Sequence, residues 1–256
     1  MTLIILNGAN GKMGKSVINA VEKNNEKFKI VAGVDFSPPK FNVYDFKIEK
    51  NFPKNCKADA IIDFSNPNAL EDLLQFSKTE KIPLVIATTG YTEDQIKKIE
   101  EASKTVAIFF TFNMSLGINL LIELVKKSNK VLKTDFDIEI VEKHHNQKID
   151  APSGTAIMIA DAINNQNNDY YEYIYDRQKV RQKRQKNEIG IHSIRAGTII
   201  GEHEVIFSGE DEIISISHTA LSKNVFAIGA IKAAEFIKTK DKGLYNMKDL
   251  VSETIF

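Results

Sequence analysis

The 256-residue chain contains one cysteine, Cys56, so it has no intrachain disulfide framework and cannot build a thiolate zinc cluster. A lone thiol suits a reducing compartment, and the expected location is cytoplasmic. Cys56 lies in the polar stretch NFPKNCKAD with no histidine nearby, which gives it no partner to activate it as a nucleophile. There is no excess of either charge, since Lys+Arg and Asp+Glu are both 34. Nothing global therefore calls for nucleic acid or a membrane surface as a partner. There is no long apolar run, and the opening MTLIILNGANG has no basic leader, so neither a signal peptide nor a membrane span is expected. Internal repeats are absent as well. Lys179–Lys186 is the one basic run, with five basic residues in eight. No aromatics interleave within it, so a solvated loop is expected rather than a nucleic-acid contact.

The first half alternates strand and helix. Strands are expected at Thr2–Asn7, Phe28–Val34, Ala58–Phe64, Leu84–Thr88 and Val106–Phe110, and helices at Lys12–Asn24, Asn68–Thr79 and Thr92–Ser103. Strands separated by helices of this length pair in parallel through right-handed crossovers, giving an open doubly wound, Rossmann-like sheet. After about residue 115 the pattern changes. A helix at Ile118–Val131 and a strand at Asp135–Glu142 precede several β segments between Gly190 and Ala220, with a turn at Gly209-Glu210-Asp211. A long helix follows at Phe226–Thr239. The fold class expected is α/β, with an added α+β domain on a mostly antiparallel sheet.

The first strand runs into Gly8-Ala9-Asn10-Gly11-Lys12-Met13-Gly14. Glycines there let the backbone turn tightly and approach a pyrophosphate at a helix N-terminus. The spacing is G-x-x-G-x-x-G, with Asn10 where a second glycine usually stands. Asp35 ends the second strand, 21 residues after Gly14, where a carboxylate would meet ribose hydroxyls. Three loops at strand ends, containing Phe64, then Ala87, Thr88 and Thr89, then Thr111, Phe112, Asn113 and Met114, fall where an open α/β sheet places its ligand crevice. Thr88, Thr89 and Asn113 carry groups suited to a nicotinamide, although each taken singly reads as an ordinary turn or N-cap residue.

Residues 142–156 read EKHHNQKIDAPSGTA. His144 and His145 can exchange protons near neutral pH, and Lys148 supplies positive charge. A helix starting at Ser153-Gly154-Thr155 offers backbone N–H groups and a positive dipole end to an anion. These groups suit a small carboxylate that must be both held and protonated. The paired histidines lack the spacing of a helical zinc site, so no metal is expected. His192, His203 and His218 read as strand-surface or interface residues, and Asp150 as a brace or cap for the turn before the helix.

The glycine loop, Asp35, ATTG, FNMSLG, EKHHNQKIDAPSGTA, IRAGTIIGEHEV and the closing FAIGAIKAAEFI resemble the 4-hydroxy-tetrahydrodipicolinate reductase (dihydrodipicolinate reductase) family over nearly the whole chain. The resemblance implies that the last helix returns to the nucleotide-binding domain. Residues 1–115 plus 226–256 would form that domain, and 116–225 an inserted substrate-binding and oligomerisation domain. It implies hydride transfer from NAD(P)H to a cyclic imine dicarboxylate in lysine and diaminopimelate synthesis, by a homotetramer. His144 would be the proton donor and acceptor and Lys148 the second catalytic group. His145, Ser153, Gly154 and Thr155 would bind substrate. Gly8 to Met13, Asp35, the strand-end loops and Lys223 would hold the cofactor. Phe36 stands where many members carry a basic residue, so NADH is the expected preference with NADPH still usable. A catalytically inactive dinucleotide sensor of the same fold is the alternative.

Overall fold

A computed structural model describes residues 1–178 and 181–255. Its chain order is β1 (Thr2–Asn7), α1 (Lys12–Glu22), β2 (Phe28–Val34), β3 (Ile48–Glu49), β4 (Ala60–Asp63), α2 (Leu70–Glu80), β5 (Leu84–Ile86), α3 (Glu93–Ser103) and β6 (Ala107–Phe110). It continues through α4 (Leu116–Leu132), β7 (Asp137–His144), α5 (Gly154–Asn164), β8 (Glu172–Ile174), β9 (Glu188–Arg195), β10 (Gly201–Ser208) and β11 (Ile213–Ala220). The chain closes with α6 (Asn224–Ile237), β12 (Gly243–Tyr245) and α7 (Met247–Ile255).

The chain divides into two compact units. One comprises Met1–Leu116 and the residues from Lys223 onward, and the other is Gly117–Ser222. The first holds a seven-stranded sheet in the order β12-β6-β5-β4-β1-β2-β3, parallel in every pairing. Its central strands are buried on both faces; Ala60, Ile61 and Ile62 are fully excluded from solvent. The order reverses between β4 and β1, so the glycine loop after β1 and the loop after β4 open at the switch point. Helix α6 packs against α1, and its buried residues include Ala227, Ala230, Ala233 and Ala234. The small side chains permit that close approach.

Local chemistry sets the helix ends. Thr92 forms a capping box with Gln95, so α3 begins one residue later than the periodicity predicts. Asn66 caps a 3₁₀ turn at Pro67–Ala69, which delays α2 to Leu70.

The second unit holds five strands in the order β11-β10-β7-β9-β8. The pairings β10–β11 and β10–β7 are antiparallel, whereas β7–β9 and β8–β9 are parallel. The sheet is therefore mixed, not mostly antiparallel. Helix α5, lying in sequence between β7 and β8, supplies the crossover that parallel neighbours require. Strand β7 runs two residues beyond the predicted end at Glu142, so His144 is its last residue.

The basic run also differs from expectation. Arg184 is not solvated. It bridges Asp137 at 2.9 Å and Glu139 at 3.1 Å and donates to the carbonyls of Ile138 and Glu188. Lys179 lies outside the described residues. Among the described residues, no helix is long and apolar enough to cross a membrane.

Candidate active site

In the second unit, strand alternation buries Ile138, Ile140, Glu142 and His144 on one face. The Glu142 carboxylate is fully buried. A charge there is tolerable only when paired and hydrogen-bonded. Arg195 donates to both of its oxygens, at 2.8 and 2.7 Å, a bidentate fork. The Ser153 N–H donates to it at 3.1 Å, and His144 Nδ1 lies 2.5 Å away. Burial pushes the Glu142 carboxyl up, but the donors from Arg195, Ser193, His144 and Ser153 outweigh it and hold the group at about 2. An ionised carboxylate only accepts, so the contact places a proton on His144 Nδ1 and leaves Nε2 as the exchanging nitrogen. Burial pulls the His144 imidazole below its usual value, and Glu142 opposes this without overcoming it.

His203 does not lie on the strand surface. Pairing of β10 with β7 sets His203 opposite Glu142, and the ring is 4 % exposed. It packs edge-on against His144, with ring centroids 5.2 Å apart. Its Nε2 lies 3.1 Å from Ser153 Oγ, which accepts from the Ala156 N–H and so caps α5. Burial first, and the His144 charge second, press the His203 imidazole down to about 4.

Ser153 is thus buried and occupied, and its role is to fix the start of α5. Gly154 is exposed, with open space where a Cβ would stand, and Thr155 is half-buried in the same first turn. His145 is half-buried, and its carbonyl accepts from the Lys148 N–H at 3.1 Å. The Lys148 ammonium pairs with Asp150 at 2.9 Å. Asp150 braces the turn through that pair and through its carbonyl, which accepts from Arg195 at 2.6 Å. It does not cap the helix. His192 is exposed and pairs with Glu139, while His218 packs beside Gly117.

In the first unit, Gly8 adopts φ +80°, and a Cβ there would meet the Phe64 carbonyl at 2.4 Å. At Gly14 a Cβ would lie 2.2 Å from the Gly8 carbonyl. Both glycines are therefore required by close backbone approach. Ala9 is fully buried, and Lys12 is exposed. Among the described residues no side chain caps the start of α1, so its first N–H groups, at Lys12 and Met13, are left for a ligand. Asn10 ties the glycine loop to the next one. Its N–H donates to Asp35 at 2.9 Å and its side-chain amide to the Ser37 carbonyl at 2.7 Å. A cleft of about 750 Å³ opens here, lined by Gly8, Gly11, Asp35, Phe36, Lys50 and Phe64 among others. Lys12 does not line it; Lys50 does, with its ammonium 5.0 Å from the Phe36 ring centre.

The other strand-end residues have different standing. Thr88 is buried and Thr89 exposed. Met114 is core, Phe112 is 69 % exposed, Ala87, Thr111 and Asn113 are half-buried, and Lys223 sits just before α6. All the strand-end loops lie at the carboxyl edge of one parallel sheet. Beneath the cleft, buried Asp63 accepts from Asn7 at 2.8 Å and from the Ser65 hydroxyl at 2.5 Å, fixing the loop that abuts Gly8.

Arg195, Glu142, His203 and Asp63 are the site residues that sequence reasoning missed. Glu142 and His203 were detectable as polar residues at core-facing positions of alternating strands.

A glycine-loop cradle at the switch point of a parallel sheet, with a separate unit presenting paired histidines, a lysine and a helix start, defines a dinucleotide-dependent oxidoreductase. The comparisons specify it further. The models for the N-terminus and C-terminus of dihydrodipicolinate reductase match residues 2–114 and 117–251. The 4-hydroxy-tetrahydrodipicolinate reductase of Caldanaerobacter subterraneus subsp. tengcongensis is 53 % identical over 256 residues, covering 99 % of both chains. That of Clostridium tetani is 49 % identical, covering 96 % of both chains. The dipicolinate-bound dihydrodipicolinate reductase from Paenisporosarcina sp. TG-14 superposes with a TM-score of 0.81 at 23 % identity, covering 96 % of this chain and 97 % of that one. The chain belongs to the dihydrodipicolinate reductase family, and it is an NAD(P)H-dependent oxidoreductase.

Proposed function

We propose that the chain reduces 4-hydroxy-tetrahydrodipicolinate to tetrahydrodipicolinate in lysine and diaminopimelate synthesis, as a cytoplasmic homotetramer. The observation that carries this reading is the set built around Glu142: an oriented imidazole, a nearby ammonium, and a capped helix start whose first turn bears Gly154 and Thr155. The cofactor supplies a hydride. Adding a hydride to a conjugated imine leaves an electron-rich centre that takes up a proton, and His144 Nε2 donates it. Lys148 provides a cation for the dianionic substrate, and His145 helps to hold it. The N–H groups of Gly154 and Thr155 fork onto one carboxylate. The substrate's negative charge favours the imidazolium that burial disfavours in the free protein.

The residues of the first unit fit a dinucleotide: close-packed glycines, an uncapped helix start and a carboxylate at the end of β2. The pyrophosphate would lie on the α1 N-terminus, and the ribose hydroxyls on Asp35. Loops containing Ala87, Thr88, Thr89, Thr111, Phe112, Asn113 and Met114, together with Lys223, would border the nicotinamide. We read NADH as the preferred cofactor because Asp35 repels a 2′-phosphate and Phe36 cannot offset that. Lys50, which shares the cleft with both, keeps NADPH usable. An inactive sensor has no use for an oriented imidazole beside an ammonium. The test is NADH consumption with freshly generated substrate. Rapid, substrate-dependent oxidation is expected; cofactor binding without oxidation would support the sensor.

A further inference from the structure

We propose that Glu142, clamped by Arg195, is the positioning residue of the proton-transfer group: it fixes the His144 ring and its Nδ1 proton and couples both to the start of α5. The inference rests on the reading of His144 as the proton donor.

One carboxylate joins the end of β7, the start of α5 and the end of β9, the last 53 residues away. Its Oε2 faces His144 Nδ1 at 2.5 Å, at the end of β7. Both oxygens accept from Arg195, the last residue of β9, which the parallel register sets opposite His144. Its Oε1 also accepts from the Ser153 N–H at 3.1 Å, immediately before α5. Arg195 returns to the loop by donating to the Asp150 carbonyl at 2.6 Å. An ion pair needed only for stability would require Arg195 alone. Here the same carboxylate also sets the imidazole and the anion-facing helix start, so proton donor and carboxylate clamp are built on one group. The opposite ring nitrogen has clearance: a Cβ on Gly201 would stand 3.1 Å from His144 Nε2, and glycine carries none. The charged and titratable groups facing His144 are Glu142 on its own strand, Arg195 on β9, His203 on β10 and Lys148 in the following loop.

The test combines a measurement on the unaltered protein with a mutant cycle. Histidine-selective ¹⁵N NMR, with His144 assigned by its loss in His144→Gln, reads the tautomer of the neutral ring. Protonated Nδ1 is expected; a ring protonated on Nε2 overturns the proposal, whether or not any variant folds. Glu142→Gln should lower kcat about 10–10²-fold, as loss of an outer orienting partner does, with little change in NADH affinity. It should also move the His144 titration downward by about one unit, because a nearby negative charge is lost. Combined with His144→Gln it should add almost nothing, since the two act as a unit. Wild-type kcat in Glu142→Gln, or its full loss repeated in the double variant, contradicts the positioning role. Near-normal turnover in His144→Gln rejects the His144 reading itself, a different failure that the tautomer measurement does not share.

Discussion

The two units build their candidate sites by opposite means. The cleft of the first is made of backbone: Gly8 against the Phe64 carbonyl, Gly14 against Gly8, and an uncapped helix start. Among the charged residues that line it, Asp35 is held by neighbouring amides of Asn10 and Ser37. The site of the second is made of side chains drawn from three strands: the buried carboxylate of Glu142, its partly buried partner Arg195, and the buried imidazoles of His144 and His203. The first tolerates many side chains but no Cβ at two positions. The second tolerates a change of shape better than the removal of one ionic partner, because that leaves a buried charge uncompensated. Binding a cofactor by its pyrophosphate needs only N–H groups at close range, whereas moving a proton needs a titratable group held in one tautomer.

This contrast can be broken most sharply at the histidine. His144→Gln should lower kcat by about 10²–10⁴-fold, the usual worth of general acid–base catalysis. Lys148→Ala should do the same and also raise the KM for substrate, because it removes a cation near a dianion. Steady-state kinetics in both variants check this.

The next effect is on stability. His203 sits at about 4 when folded and near the ordinary imidazole value of 6.5 when unfolded, so the unfolded chain binds the proton first as pH falls. The contribution is complete above 6.5 and is lost as pH falls toward 4, on the order of 3 kcal/mol. Glu142, at about 2 against an ordinary 4.5, adds a second loss below pH 4.5. Melting temperatures should therefore decline from pH 6.5 downward, with a shallower slope between 6.5 and 4 in His203→Gln. A flat profile through that window would remove His203 from the buried network.

Gly8→Ala tests the other region. The left-handed backbone and the 2.4 Å approach to a carbonyl make a methyl group cost about 1–3 kcal/mol. Calorimetry should find that loss together with weakened NADH binding, while the histidine titrations stay in place. The smallest effect concerns cofactor choice. Lys50→Ala should weaken binding of 2′,5′-ADP and lower kcat/KM for NADPH about three- to fivefold, the worth of an exposed ion pair, and leave NADH unchanged. Phe36→Arg should move NADPH use upward. A wild-type enzyme favouring NADPH tenfold would contradict the weight given to Asp35.

Legibility from sequence follows the same division. Glycines in the first loop and Asp35 were readable because their spacing is local, and the alternation of strand and helix fixed the parallel sheet. EKHHNQKIDAPSGTA was readable because its groups are close in sequence. Arg195 was not, since it reaches Glu142 from 53 residues away through a β7–β9 register that no local pattern encodes. The mixed character of the second sheet was missed for the same reason: strand patterns do not state the direction of their neighbours. His203 was overlooked although it alternates with Gly201, Val205 and Phe207, all buried, along β10. A histidine on such a face needs a polar partner, and Ser153 supplies it.

The most direct test of the division of labour is a single preparation of His144→Gln, with NADH affinity measured by titration and turnover measured with freshly generated substrate. The account predicts a dissociation constant for NADH close to that of the wild type and a kcat reduced at least about a hundredfold. Turnover near the wild-type rate, or NADH binding lost together with turnover, would contradict it.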